Sequence, residues 1–227
     1  MSEQQMPSEK TVSRRSFFWK YLLLPIAFFI TACDFRKKSQ GSVEGTTASP
    51  AATTTTQAQT LSPTRACSDN DKATEPQIEG PFYKPSSPER TSLQEAGLPG
   101  TPLIITGRVL STTCQPVTHA LLDFWHADSN GNYDNTGFKL RGHQYTDNQG
   151  RYHLETIVPG LYPGRTRHIH VKVQAVPGQP ILTTQLYFPD EPRNSSDSFF
   201  SSELLMQTQN TGNSQQATFT FVLQTSS

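Results

Sequence analysis

The sequence is short of three things. Cysteine is scarce: three in 227 residues, Cys33, Cys67 and Cys114. That excludes a dense disulfide scaffold, and any pairing leaves one cysteine over. Neither sign of charge is in excess, with 19 Lys+Arg against 19 Asp+Glu, which argues against a broad basic surface for nucleic acid. Hydrophobic residues make up only 33 %, low for a globular chain, and they are unevenly spread. Long apolar runs are missing too. Tyr21 to Ile30 has ten residues, where a membrane-spanning helix needs roughly 20. No internal repeat and no long amphipathic helix stands out.

What is present divides into three stretches. Residues 1–33 hold the basic cluster around Arg14-Arg15, then the apolar run, then Ile30-Thr31-Ala32-Cys33. This order reads as an export signal. Its end resembles the lipobox of bacterial lipoproteins, which implies a lipid on Cys33. Arg14-Arg15 followed by Phe17 resembles a twin-arginine signal, which implies export of an already folded chain. The expected location is outside the cytoplasm, on the membrane through that lipid, facing the periplasm or the cell exterior. Residues 34–66 are mostly Ser, Thr, Ala, Gln, Gly and Pro, with Thr53-Thr54-Thr55-Thr56 inside them. They have too little apolar surface to offset ordering entropy and read as a disordered tether. Without residues 1–33 the chain keeps 19 − 4 = 15 basic and 19 − 2 = 17 acidic residues, a net charge of −2. No nucleic-acid partner is expected.

Residues 67–227 carry the fold. Short β-prone runs alternate with turn residues: Leu103 to Leu110, Ala120 to His126, Tyr145 to Thr156 as a hairpin across Asn148-Gln149-Gly150, His168 to Val176, Leu182 to Phe188 and Ala217 to Leu223. Their number and spacing predict an all-β domain, an antiparallel sandwich or barrel. Prolines between Pro81 and Pro102 predict an irregular N-terminal arm, with a helical turn or two left open over Thr91 to Leu98. Cys67 and Cys114 are the even pair inside this domain, and in an oxidising compartment they are expected to be bridged.

The chemistry concentrates on Arg167-His168-Ile169-His170-Val171-Lys172-Val173. Alternation along a strand puts His168 and His170 on one face and Ile169, Val171 and Val173 on the core face. Two imidazoles at i and i+2 are about 6–7 Å apart and can converge on one metal. Tyr162 lies on a Gly/Pro-bracketed turn just upstream. Tyr133 follows the Gly131 turn that ends the run from Asp123 to His126.

Five blocks in this order resemble the intradiol ring-cleavage dioxygenases. They are Glu79-Gly80-Pro81-Phe82-Tyr83, Leu122 to Tyr133, Tyr145 to Gly150, Tyr162 to Val171, and Gln185-Leu186-Tyr187-Phe188. The resemblance implies an all-β, antiparallel β-sandwich of transthyretin type and a non-haem Fe(III) held by Tyr133, Tyr162, His168 and His170. Hard anionic tyrosinates favour the ferric ion, and imidazole suits iron. The implied partners are a small-molecule catechol and O2, with a homodimer left open. The implied product is a cis,cis-muconate-type diacid. Tyr162 matches a ligand that leaves when substrate binds, Arg165 a cation that stabilises the activated ring, and Gln185 a polar neighbour of Arg165. Arg141 and Lys139 could form a carboxylate site or be solvated, and His126 and His143 could be structural or line the pocket. Two rival readings stay open: a tethered β-sandwich binding module without iron, and a zinc hydrolase built on His168 and His170.

Overall fold

The computed structural model of the chain describes Cys67 and residues 72–225. The expected export signal with Cys33 and the expected tether lie outside the described residues. Eight strands form two four-stranded sheets. In chain order they are β1 (Pro102–Ser111), β2 (Leu121–Trp125), β3 (Arg141–Tyr145), β4 (Arg151–Ile157), β5 (His168–Gln174), β6 (Ile181–Tyr187), β7 (Gln207–Thr211) and β8 (Ser214–Leu223). One sheet has the order β4-β1-β8-β7 and the other β3-β2-β5-β6. This is the expected all-β sandwich, with one parallel ladder inside it. β1 and β8 run the same way over Leu103 to Ser111, because nearly the whole domain forms the connection between them. Among the described residues there is no α-helix. Two short 3-10 turns, Pro192–Ser195 and Ser202–Leu204, follow β6, and no helix is long and apolar enough to cross a membrane.

Two local expectations are corrected. The turn at Asn148-Gln149-Gly150 forms, with Asp147 Oδ1 accepting the Gln149 and Arg151 amides at 2.8 and 2.9 Å. Its flanking strands do not form a hairpin ladder with each other, however. β3 pairs with β2 and β4 pairs with β1, so the turn is a corner between sheets. Turn chemistry sets the reversal and not the partner. β4 buries Tyr152 and Leu154 beside Leu103 and Ile105 of β1, an apolar match that Arg141-Gly142-His143 of β3 does not offer. Thr91 to Leu98 contains no helix. Ser92 instead bridges Glu155 and the Leu93 amide donates to Glu155 O at 2.8 Å. An exposed strand edge offers eight residues a better set of partners than an isolated short helix would.

Ile169, Val171 and Val173 of β5 lie fully buried between the sheets with Leu122, Phe124, Ile105 and Phe221. The opposite face of the β3-β2-β5-β6 sheet carries Asp123, Trp125, His168, His170, Lys172 and Gln185. The N-terminal arm, residues 72–101, crosses it. The Gln77 amide donates to Thr183 O at 2.8 Å, Gln185 Nε2 donates to Ile78 O at 3.0 Å, and Lys172 pairs with Glu79. The Tyr83 hydroxyl and the Ser87 hydroxyl donate to the two oxygens of Asp123 at 3.1 and 2.7 Å. A disulfide joins Cys67 to Cys114 in the turn after β1, linking the start of the described chain to the first sheet.

Candidate metal centre

The face beneath the arm is laid out by strand register. Trp125 of β2 and Gln185 of β6 stand opposite His170, and Tyr187 of β6 stands opposite His168. The two imidazole centroids are 4.8 Å apart. Both side chains are buried, at 5 % and 3 % exposure.

The tyrosines come from two loops that touch backbone to backbone. The Asp128 carbonyl accepts the Gly131 and Gly160 amides at 3.0 and 2.7 Å. A Cβ on Gly131 would stand 2.3 Å from Leu161 O, and one on Gly160 would stand 2.4 Å from Gly131 N. Only glycine allows this approach. It sets Tyr133 and Tyr162 with ring centroids 5.9 Å apart. Phe82 of the arm lies against both, stacked on Tyr133 at 4.4 Å and edge-on to Tyr162 at 5.3 Å. A cleft of about 380 Å3, lined by Pro81, Phe82, Tyr83, Lys84, Asn135 and Arg141, opens beside Phe82. A larger one of about 580 Å3 lies on the far sheet, around Thr106, Arg108 and Thr218, so cleft size does not mark the chemistry.

Tyr133, Tyr162, His168 and His170 are therefore brought together. The Tyr133 hydroxyl is 3.2 Å from His168 Nε2. His168 Nδ1 is 2.7 Å from the Thr166 carbonyl, to which it must donate, so Nε2 presents its lone pair to Tyr133. Two donors on one ion at about 2.0–2.1 Å each stand roughly 3 Å apart when they subtend a right angle. Buried Nδ1 of His170 has no hydrogen-bond partner, and its ring stacks on Trp125 at 4.8 Å. Burial lowers the His168 pKa to about 4 and holds His170 well below its usual range, so both are neutral ligand-type imidazoles. Burial pushes the Tyr133 phenol up, and a cation in contact would reverse that shift. The four residues fit a hard metal ion with mixed oxygen and nitrogen donors. Among the described residues no group of three or more His, Cys, Asp or Glu is placed to hold a metal; the oxygen donors gathered at the two imidazoles are those of Tyr133 and Tyr162.

Arg165 and Gln185 adjoin the ligand set. Arg165 Nη2 donates to Gln185 Oε1 at 2.7 Å, and Arg165 Nε donates to Asp197 Oδ2 at 2.8 Å. Asp197 carries no sequence signal for this role: it lies in a serine-rich stretch, Asn194 to Ser198, that reads as loop. Despite burial, hydrogen bonds from the Phe199 and Thr166 amides and from Arg165 hold its pKa low. Arg141 is buried and not solvated. It is 2 % exposed and donates to the Asp134 and Phe82 carbonyls at 3.0 and 2.6 Å, joining the Tyr133 loop to the arm. Lys139 is exposed. His126 is structural: it is fully buried, donates through Nδ1 to Ala127 O at 2.7 Å and accepts the Thr156 hydroxyl at Nε2 at 2.6 Å. Burial lowers its pKa to about 4. His143 is tied to Ser87, with Nδ1 2.7 Å from the Ser87 carbonyl.

Residues 78–225 match the model of the protein family described as Dioxygenase. The chain belongs to the intradiol ring-cleavage dioxygenases. It is 33 % identical over 141 residues to catechol 1,2-dioxygenase 2 of Acinetobacter lwoffii, covering 51 % of each chain. Among solved structures, the dioxygenase domain of a dioxygenase–carbohydrate-binding protein fusion from Streptomyces sp. SirexAA-E is 55 % identical. That match has a TM-score of 0.66 and covers 68 % of this chain and all of that one. The 3-chlorocatechol 1,2-dioxygenase of Rhodococcus opacus 1CP is 28 % identical with a TM-score of 0.61, over 66 % and 72 % of the two chains. The chain spans about half the length of the intradiol dioxygenases it matches in sequence, 51 %, 58 % and 52 % of the first three. What it shares with its structural relatives is the β-sandwich, over 68 % and 66 % of this chain.

Proposed function

We propose that this protein cleaves a catechol-type aromatic diol with O2 between the two hydroxyl-bearing carbons, using a non-haem Fe(III). Both oxygen atoms enter a cis,cis-muconate-type diacid, which balances as diol plus O2. The observation that carries this reading is the convergence of Tyr133, Tyr162, His168 and His170, with an Arg165–Gln185 pair beside them.

Tyr133, Tyr162, His168 and His170 would hold the iron. The chemistry that Fe(III) supplies when bound is Lewis acidity toward both diol oxygens and an acceptor for ring electron density, which opens the ring to O2. The chain's own groups do the rest. Tyr162, deprotonated as a metal ligand, would be the base that takes up a proton from a diol hydroxyl. Arg165 is a fixed cation for negative charge that develops on the ring. Gln185, held by Ile78 O, fixes the guanidinium. Phe82 and the arm exclude water from the tyrosines. The two tyrosines beside His168 and His170 weigh against a zinc hydrolase, whose protein ligands are typically His, Cys, Asp or Glu.

The expected colour is wine-red, from tyrosinate-to-iron charge transfer. The deciding experiment is oxygen uptake by iron-loaded protein over a panel of catechols, with the product identified. A muconate-type diacid supports the reading, and a colourless, inactive protein with iron present sinks it. Export and anchoring through Cys33 belong to the same proposal, and the Cys67–Cys114 bridge accords with an oxidising compartment. Fractionation of cells carrying Cys33→Ser tests this: loss of the protein from the membrane fraction is the expected result.

A further inference from the structure

The geometry points to Asp197 as a positioning residue of this site, acting on the ring-cleavage step through Arg165. The inference rests on the dioxygenase reading and extends it to the loop after β6.

Arginine at the end of a loop has four side-chain torsions and no fixed direction of its own. Here four contacts fix it. Nε is held by Asp197 Oδ2 at 2.8 Å, Nη2 by Gln185 Oε1 at 2.7 Å and by the Tyr187 hydroxyl at 3.5 Å, and the guanidinium carbon lies 4.8 Å from the Phe199 ring centroid. Nη1 is the one guanidinium nitrogen left without a hydrogen-bond partner among the described residues, so it alone is free for substrate.

Asp197 does more than balance a charge. Its side chain is 2 % exposed. Oδ2 also accepts the Thr166 amide at 2.8 Å, and Oδ1 accepts the Phe199 amide at 2.9 Å. Thr166 in turn supplies the carbonyl that orients His168. The Arg165 amide donates to Tyr162 O at 3.1 Å, and the Tyr187 hydroxyl donates to Phe199 O at 2.7 Å. One carboxylate therefore ties the loop beyond β6 to the guanidinium and to the backbone between Tyr162 and His168. It accepts three N–H groups. An amide in its place has one accepting oxygen, and its NH2 would face an N–H donor on the other side.

The experiment is a double-mutant cycle in the iron-loaded full chain, with catechol-dependent oxygen uptake as the activity. D197N is expected to lower kcat roughly 10- to 100-fold, the cost of a misplaced group, with KM changed far less. The visible charge-transfer band should stay, because no metal-type ligand is altered. In an Arg165→Met background D197N should add less than about 2-fold, because the residue it acts through is gone. D197E, which keeps the charge, should recover part of kcat and serves if D197N fails to fold. A second readout needs no iron: in the metal-free protein the Arg165 Nε–H NMR signal should exchange slowly with solvent, and at least about tenfold faster in D197E or D197N. A wild type that consumes no oxygen with any catechol overturns the dioxygenase reading. An active wild type in which D197N costs as much in the Arg165→Met background as with Arg165 intact, or leaves Arg165 Nε–H exchange unchanged, overturns the role of Asp197.

Discussion

The two faces of β5 keep water out by different means. Ile169, Val171 and Val173 need only apolar neighbours from the other sheet, and any side chain of suitable shape will serve. His168, His170 and Lys172 one residue away need named partners: Thr166 O, the Trp125 ring and Glu79. Those partners arrive from three places: a turn, a neighbouring strand and the arm. The inner face is redundant and adds up over many contacts, whereas the outer face is specific, so single losses on it fall on chemistry and not on folding.

That contrast can be broken in graded steps. The largest effect is expected from Tyr133→Phe, which keeps the ring on Phe82 and removes one donor atom. Outer-shell partners of a metal are worth 10- to 100-fold, so loss of a ligand should lower catechol-dependent oxygen uptake at least roughly 1,000-fold. Thermal unfolding should barely move. The converse change, Phe124→Ala on the inner face, should cost about 3–5 kcal/mol in urea unfolding. The surviving folded fraction should keep its visible spectrum per bound iron.

Next comes a pH effect through His126, which no chemistry uses. Its pKa falls from 6.5 unfolded to about 4 folded. Between those values the unfolded chain binds a proton that the folded chain does not, so stability is full above 6.5 and declines as pH falls toward 4. The loss is roughly 3 kcal/mol at 1.36 kcal/mol per unit. Urea titrations at pH 7 and pH 4 should show a decline that His126→Asn reduces. The smallest effect is expected from Lys172→Met, which breaks the pair with half-exposed Glu79. Its cost should stay below about 1 kcal/mol. It should show instead as faster hydrogen exchange at the Gln77 amide of the arm, which donates to Thr183 O.

The strand readings were accurate where alternation was strong. His168 to Val176 reads as one alternating run and forms β5 over its first seven residues, His168–Gln174, because a period of two admits one orientation once Ile169, Val171 and Val173 are placed inside. β7, Gln207–Thr211, has no apolar residue to reveal it. The corner at Asp147 looked like a hairpin because the turn is one, and pairing is decided by distant strands. The meeting of Tyr133 with Tyr162 was accessible through the family resemblance alone. Its physical cause, Gly131 against Gly160, is a contact between positions 29 apart that no local pattern encodes. Arg141 and His126 are polar groups whose burial depends on carbonyls and a hydroxyl brought in by the fold.

The bridge between Cys67 and Cys114 closes a ring of chain 47 residues apart in sequence, and all of residues 72–101 lie within it. A ring of this size restricts the unfolded chain by an amount worth about 4 kcal/mol in the chain-entropy account. The roof over the phenols and imidazoles is thus hinged at both ends, at β1 and at a covalent clasp. Reducing the clasp would leave every donor atom on its own element, yet free one margin of that roof, so thiol reagents should loosen the enclosure long before they unfold the sandwich.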